Sequence, residues 1–345
     1  MSVKFDWGRM QIKKSDLLEE KICVVIPMYR VASHIQEVIQ SLPGWIWKII
    51  VVDDASPDDS AQKVKELKDD RIILLIHAHN TGVGGAMLTG FQEAARLGGT
   101  ILIKMDGDGQ MSPDYIEDLI RPILKGQADY VKGNRFFHTH AITRMPLLRR
   151  IGNLGLSFLA KAASGYWNIF DPTNGYFAID CETFKTLDVN HIHRRYFFEI
   201  SLLIELNLFR AVVTDVEMPA IYGSEVSSLS INQAIIEFPW LLLQGSLRRI
   251  WLQYFVLDFS VGSLFLLTGS MLSGFGTIWG LVWWLISIIS GRIASTGTVM
   301  IAALPLILGF QLLLQTLVFD VQNISRSPFT RNAEQRRAKR TLKVE

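Results

Sequence analysis

The chain has 345 residues, enough for one large domain or two small ones. Only 20% of them are charged and the mean hydropathy is +0.24, which excludes an ordinary soluble surface along the whole length. A net charge of +2 argues neither for nor against nucleic acid, so the placement of charge has to decide.

Met1 to Glu20 is polar and basic and holds no apolar signal segment. Residues 1–20 therefore read as an extension, and the domain that follows, 21–231, is expected to stay in the cytoplasm. In that domain Ile22 to Ile26, Ile46 to Val52, Ile72 to Ile76, Ile101 to Met105 and Tyr130 to Lys132 read as strands. Helical patterns begin near Ser33, Pro57, Gly84 and Pro113. Ser56-Pro57 has the form of a helix start, with Ser as N-cap and Pro at the first helical position. The alternation predicts an α/β fold, a mostly parallel sheet with helices on both faces. Cys23 and Cys181 lack metal spacing and read as buried free thiols.

Beyond the sheet the chain turns apolar. Ile236, Trp240, Leu243, Leu247, Ile250 and Tyr254 recur in steps of four and three, with Gln233, Glu237, Gln244 and Arg248 on another face. Residues 232–257 are expected to form an amphipathic helix on a membrane surface, packing on the soluble domain being the alternative. No residue between Asp258 and Arg292, or between Arg292 and Asp320, is charged. A span needs about 20 apolar residues, so transmembrane helices are expected over 259–288 and 298–319. The first run, with Gly274 and Gly276, is long enough to leave a re-entrant segment open as the alternative to one tilted helix.

In the tail 320–345, Arg326, Arg331, Arg336, Arg337, Lys339, Arg340 and Lys343 outweigh Glu334 and Glu345. With Arg248 and Arg249 they flank the two spans, and the loop between carries only Arg292. That bias places both termini in the cytoplasm, at a bacterial inner membrane in preference to the endoplasmic reticulum. Because the tail adjoins an apolar segment, the lipid bilayer and not nucleic acid is its expected partner. A homo-oligomer stays open.

Chemistry concentrates where strands end. Asp106-Gly107-Asp108-Gly109-Gln110 follows the strand Ile101 to Met105, at the edge where open α/β sheets bind ligands. Two carboxylates and an amide oxygen are hard ligands suited to Mg²⁺ or Mn²⁺ that keeps positions for substrate phosphates. A calcium loop would use Glu117, twelve positions along, but requires glycine where Met111 stands. Pro27 ends the first strand's ladder and Tyr29 offers a ring for a base. Asp53 and Asp54 close the second strand, where they could hold a ribose or base or cap the nearby helix. Asn80 to Ala86 precedes a helix, and its glycines, Gly84 among them, allow amides to approach a diphosphate.

In this order and spacing the segments resemble the family 2 glycosyltransferases, and within them the polyprenyl-phosphate sugar transferases. The resemblance runs from about Ile22 to Ile231 and includes Gly133-Asn134-Arg135, Leu148 to Asn153, Asp171 to Tyr176, Tyr196 to Glu199 and Tyr222 to Ser228. It implies a GT-A fold, a nucleotide-sugar donor, a polyprenyl phosphate acceptor and a metal at Asp106, Asp108 and Gln110. Pro27, Tyr29, Asp53 and Asp54 then match nucleotide positions, and Arg135, Arg149, Asn153 and Asp171 match the acceptor-phosphate segments and the loop beside them. Three departures stand out. Arg30-Val31 replaces the usual Asn-Glu, Ile221 replaces an Arg, and the Arg after the Asp-x-Thr-x-Gly loop is missing. Arg194 or Arg195 is expected to supply the missing phosphate contact.

A lipid phosphate is already an anion and needs cations to hold it, whereas a sugar hydroxyl needs a base. Glu199 is the candidate base in the second case; pairing with Arg195 or Arg210 is its alternative role. A polysaccharide synthase would need a Gln-x-x-Arg-Trp segment, and Gln244 to Trp251 has the wrong spacing. A non-catalytic sugar-nucleotide sensor would not need the acidic pair.

Overall fold

A computed structural model describes residues 17, 19–135, 147–219 and 231–328, without the side chains of 147–151, 153 and 231–236. The chain divides into two compact units, 1–245 with 325–345, and 246–324.

The first unit is built on seven strands: β1 (Ile22–Met28), β2 (Lys48–Asp53), β3 (Ile72–Ile76), β4 (Ile101–Lys104), β5 (Tyr130–Asn134), β6 (Phe177–Asp180) and β7 (Val213–Glu217). They lie in the order β3-β2-β1-β4-β6-β5-β7. Only β6 runs against the rest, antiparallel to both β4 and β5. Helices α1 (Ile35–Ser41), α2 (Ser60–Glu66), α3 (Val83–Leu97), α4 (Ile116–Leu124), α5 (Leu147–Ser164), α6 (Cys181–Thr186) and α7 (Phe198–Leu208) connect them. The central strands are apolar on both sides because both faces are covered. Val24, Ile26, Val51, Ile103 and Val131 pack with Ile35 and Ile39 of α1 and Leu119 and Ile120 of α4. On the opposite face Phe177 meets Phe91 of α3, Phe198 of α7 and Tyr130.

The mostly parallel sheet stands as expected, with two additions and one displaced helix. Neither β6 nor β7 was among the five expected strands: β6 is four residues long and follows a turn-rich loop, so its pattern is brief. The helix expected at Pro57 starts at Ser60 instead. Asp58 is the reason, since its carboxylate accepts from Ser56 Oγ and Ser60 Oγ, both at 2.6 Å, and from Ala32 N at 3.1 Å. The turn is thereby tied to the β1–α1 loop, and Ser56 caps nothing. Pro27 ends the ladder on one side only: pairing with β4 stops at Val25, while pairing with β2 continues to Met28. Both cysteines are buried and free, and burial pushes the Cys23 thiol up to about 12 and the Cys181 thiol to about 11.

Helix α8 (Ile231–Trp251) begins in the first unit and ends in the second. Phe238, Leu241 and Leu242 pack with Ile200 and Ile204 of α7 and Ala160 and Ala163 of α5, while Trp240 and Leu243 of the expected membrane face are exposed. The helix thus packs on the domain and still presents an apolar face.

In the second unit α9 (Val261–Ser290) and α10 (Thr296–Gln322) are both long and apolar enough to cross a membrane. The first uncharged run is one unbroken helix and not a re-entrant turn. Gly262, Gly269 and Gly276 recur every seventh residue against α10: a Cβ would stand 2.6 Å from the Phe319 ring at Gly262 and 2.6 Å from Ala302 O at Gly276, and at a tight 3.1 Å from Gly309 O at Gly269. Such small residues let two backbones touch where lipid supplies no hydrophobic drive. Gly274 faces open space. Arg249 donates to Asp320 through both terminal nitrogens, at 2.8 and 3.1 Å, and Tyr254 adds a third bond at 3.2 Å. The charge of Arg249 is therefore matched within its own unit, which removes it from the flanking positive excess. The segment from Tyr222 to Ser228 and the basic tail beyond Pro328 lie outside the described residues.

Candidate active site

Parallel strands deliver their C-terminal ends to one edge, and here β1, β2, β4 and β5 bring Tyr29, Asp54, Asp106 and Arg135 together. Because β6 runs the other way, its beginning, Asn174 to Tyr176, reaches the same edge. These groups surround a cavity of about 710 Å³. Of the expected site residues, Pro27, Tyr29, Asp54, Asp106, Asp108, Gln110, Arg135 and Glu199 line it. Asp53, Gly84 and Asp171 stand behind it. Arg149 and Asn153 fall in the first turns of α5, and their side chains lie outside the described residues.

The acidic wall comes from the turn after β4. Asp108 Oδ1 accepts from Gln110 N at 2.9 Å, which holds the turn closed, and Asp106 Oδ1 accepts from Lys104 Nζ at 2.6 Å. Lys104 is wholly buried; burial lowers its pKa, but Asp106 and Glu199 more than offset that and raise it. Gly175 leaves room for this pair, since a Cβ would stand 2.5 Å from Lys104 Nζ and 3.2 Å from Asp106 Oδ2 and would displace the ammonium. Among the described residues no group of three His, Cys, Asp or Glu side chains forms a closed metal cage. An Mg²⁺ or Mn²⁺ ion completed by substrate phosphates needs only one or two carboxylates. Asp106, Asp108 and the Gln110 amide on one cavity wall fit that requirement.

The glycine segment does other work than expected. Gly82 N and Thr81 N donate to the two Asp54 oxygens, both at 2.8 Å, and His77 Nδ1 lies 2.8 Å from the same carboxylate. Burial raises the Asp54 pKa, but the bonds from Thr81, His77 and Gly82 outweigh it and the net shift is downward. Gly85 N donates to Arg194 O at 2.9 Å. A Cβ on Gly84 would collide with His193 O. These glycines thus admit the 193–195 backbone, and Gly82 and Gly85 have their amides committed within the protein. Asp53 is buried and accepts from Ser56 N at 2.9 Å, which closes the turn after β2; the helix that follows starts at Ser60, so Asp53 does not cap it. Arg194 presents its carbonyl to α3, and Arg195 is the one that lines the cavity. Arg30, at the departure from the family pattern, sets its guanidinium 5.2 Å from the Tyr29 ring centre.

Opposite the acidic wall, Arg135 donates Nε to Asp171 Oδ2 at 2.7 Å and Nη2 to Oδ1 at 3.2 Å. Asp171 is fully buried, so it orients the arginine and does not face a ligand. Glu199 Oε1 lies 3.7 Å from Lys104 Nζ, a partner not anticipated from the sequence. Lys104 and Lys132 were both missed. Their signal was a lysine inside an otherwise apolar strand, which folding must bury and therefore compensate.

Residues 23–188 match the pattern of glycosyl transferase family 2. A UDP-N-acetylglucosamine–dolichyl-phosphate N-acetylglucosaminyltransferase of Methanococcus voltae is 33% identical over 195 residues, covering 52% of this chain and 77% of that protein. A polyprenol monophosphomannose synthase of Mycolicibacterium smegmatis is 26% identical, covering 67% and 90%. The fold is shared with a glucosyl-3-phosphoglycerate synthase of Mycobacterium tuberculosis solved with Mn²⁺ and UDP-glucose. That likeness has a TM-score of 0.53 at 20% identity and covers 69% of this chain and 85% of that one. With the doubly covered sheet, the acidic turn after β4 and this extent of shared sequence, the chain belongs to glycosyl transferase family 2.

Proposed function

We propose that the protein is a membrane-anchored glycosyltransferase that moves a sugar from a nucleotide-sugar to a polyprenyl phosphate, releasing a nucleoside diphosphate. The carrying observation is one cavity with an acidic wall at Asp106, Asp108 and Gln110 and, on another wall, an arginine fixed by a buried carboxylate. Relatives named for transfer to dolichyl and polyprenol phosphates support this acceptor class. A metal held by the acidic wall would neutralise charge growing on the leaving diphosphate. Arg135, with Arg149 and Asn153 by resemblance, would hold the acceptor phosphate in line. One acceptor oxygen bonds to the anomeric carbon as the bond to the diphosphate oxygen breaks. No proton has to leave the acceptor, so no base is required, and a single displacement inverts the anomeric centre. Helices α9 and α10 would anchor the enzyme in the bilayer where its acceptor dissolves, raising the effective concentration. The positive bias of the flanking segments would put both termini on the cytoplasmic side.

The test is transfer by the purified protein from a panel of nucleotide-sugars to a short polyprenyl phosphate, with Mn²⁺ and with EDTA. Chelation should abolish the lipid-linked product. Asp108→Asn should lower turnover by at least about 10²-fold, the scale of one preorganised electrostatic contact. Full activity in EDTA would refute the metal assignment, and transfer to a sugar hydroxyl but not to the lipid phosphate would refute the acceptor.

A further inference from the structure

Behind the acidic wall lies a second set of charges that the proposed reaction does not use. Lys132, on β5, is fully buried, as is Tyr130 on the same face of the strand. Among the described residues neither Lys132 Nζ nor Tyr130 Oη has a hydrogen-bond partner. A buried ammonium without a compensating anion is very costly, so something nearby must stabilise it. The Phe177 ring, centred 5.7 Å from Nζ, supplies a weak share. Burial lowers the Lys132 pKa to about 8, and the carboxylates of Glu199 and Asp171 counter that only in part, against Lys104 and Arg135. Glu199 also acts on Tyr130. Lys104 on β4 and Lys132 on β5 both stand opposite Phe177 of the strand between them, so the two buried lysines share one face of the sheet, and Glu199 lies 3.7 Å from the Lys104 ammonium that bonds Asp106.

We propose that Lys132 is a positioning residue which, with Lys104, fixes Glu199 on the cavity wall as a hydrogen-bond acceptor for a hydroxyl of the donor's sugar. This rests on the reading of the cavity as a nucleotide-sugar site. Lys104 bridges Asp106 and Glu199, so a diphosphate held at the acidic wall carries its sugar toward Glu199. A sugar presents hydroxyl donors, and an ionised carboxylate is an acceptor only. Flanked by buried ammoniums, the carboxylate is held in one orientation instead of swinging toward solvent. Glu199 is then a specificity residue and not a base.

The experiment is a double-mutant cycle on the full-length protein with Lys132→Met, Glu199→Gln and the pair. UDP- and GDP-sugars serve as donors, and UDP and GDP with Mn²⁺ as sugarless probes. Each single variant should raise the donor KM roughly ten- to a hundred-fold, the range of a lost charge-assisted hydrogen bond. Affinity for the sugarless diphosphate should stay within twofold of wild type (about 0.4 kcal/mol). The double variant should be no worse than the worse single, because Lys132 acts through Glu199. Multiplicative losses would overturn the proposal. So would a Glu199→Gln variant that loses kcat by about 10²-fold or more at unchanged KM, which marks a base. If Lys132→Met does not fold, Lys132→Gln takes its place, and unchanged donor KM in Glu199→Gln alone is decisive against. A wild-type protein that uses and binds none of these nucleotides defeats the proposed function, and this inference with it. Normal wild-type turnover with unaffected variants defeats this inference only.

Discussion

Arg135 shows how much of a site residue's behaviour is set by what stands behind it. Its guanidinium is clamped by a carboxylate with no exposed surface, so the side chain enters the cavity already oriented. Preorganisation of this kind lowers the entropy lost when a phosphate is gripped. Asp171→Asn keeps the shape but removes the charge that opposes Arg135. It should weaken use of a polyprenyl phosphate by about tenfold or more, in the range of a charge-assisted bond, and leave nucleotide-sugar binding little changed. Separate titrations of donor and acceptor check this, and equal losses on both would show that Asp171 supports the whole cavity. The acidic turn was legible in the sequence because it follows an apolar strand, where local spacing carries the information, whereas Arg135 was reached through the resemblance of Gly133-Asn134-Arg135 to the family's motif. The roles of Asp54 and Asp171 were not. Each depends on a partner far along the chain, Thr81 and Gly82 for one and Arg135 for the other, which no local pattern reports.

At the scale of elements, β6 and its following helix α6 hold the middle of the sheet. Asp180 caps that helix by accepting from Thr183 N at 2.9 Å. Burial pushes its carboxyl up to about 6, and the bonds from Thr183 only partly counter this. The native state then keeps a proton that the unfolded chain releases near 3.8. Between about pH 4 and pH 6 the folded protein binds more protons than the unfolded one, so stability falls as pH rises through that window. Asp215, also pushed up to about 6 by burial, acts with the same sign. Asp180→Asn can keep the cap but cannot titrate, so the fall in melting temperature between pH 4.5 and 7 should shrink. Thermal unfolding of the detergent-solubilised protein at both pH values measures this; an unchanged slope would clear Asp180 of the effect. The β1 to β4 strands announced themselves by apolar, β-branched composition. Strand β6 is no shorter than β4, but β4 stands in the run Ile101-Leu-Ile-Lys-Met105 while Phe177-Ala-Ile-Asp180 holds a single β-branched residue.

For the whole molecule, the contrast between a charged α/β unit and a helical pair whose one charge is Asp320, near the end of α10, follows directly from composition. The sidedness does not follow so simply. With Arg249 matched by Asp320, the positive excess rests on Arg248 and the tail from Arg326 onward, against Arg292 alone in the loop. That balance still favours cytoplasmic termini. Reporter fusions at Glu345 and beside Ser295 should give opposite signals, and matching signals would mean that α10 does not cross.

The place of β6 in the sheet has a consequence for the order of biosynthesis. The first four strands are neighbours in the order β3-β2-β1-β4, so they can assemble as soon as they leave the ribosome. Strand β5 emerges next, yet both its neighbours, β6 and β7, are made later. The half of the cavity carrying Asp54, Asp106 and Asp108 is therefore laid down on a finished platform, while Arg135 waits for the chain that follows. Gly175 and Glu199, made late, then close against Lys104 and Asp106, so the early half takes its final shape only when the late one arrives.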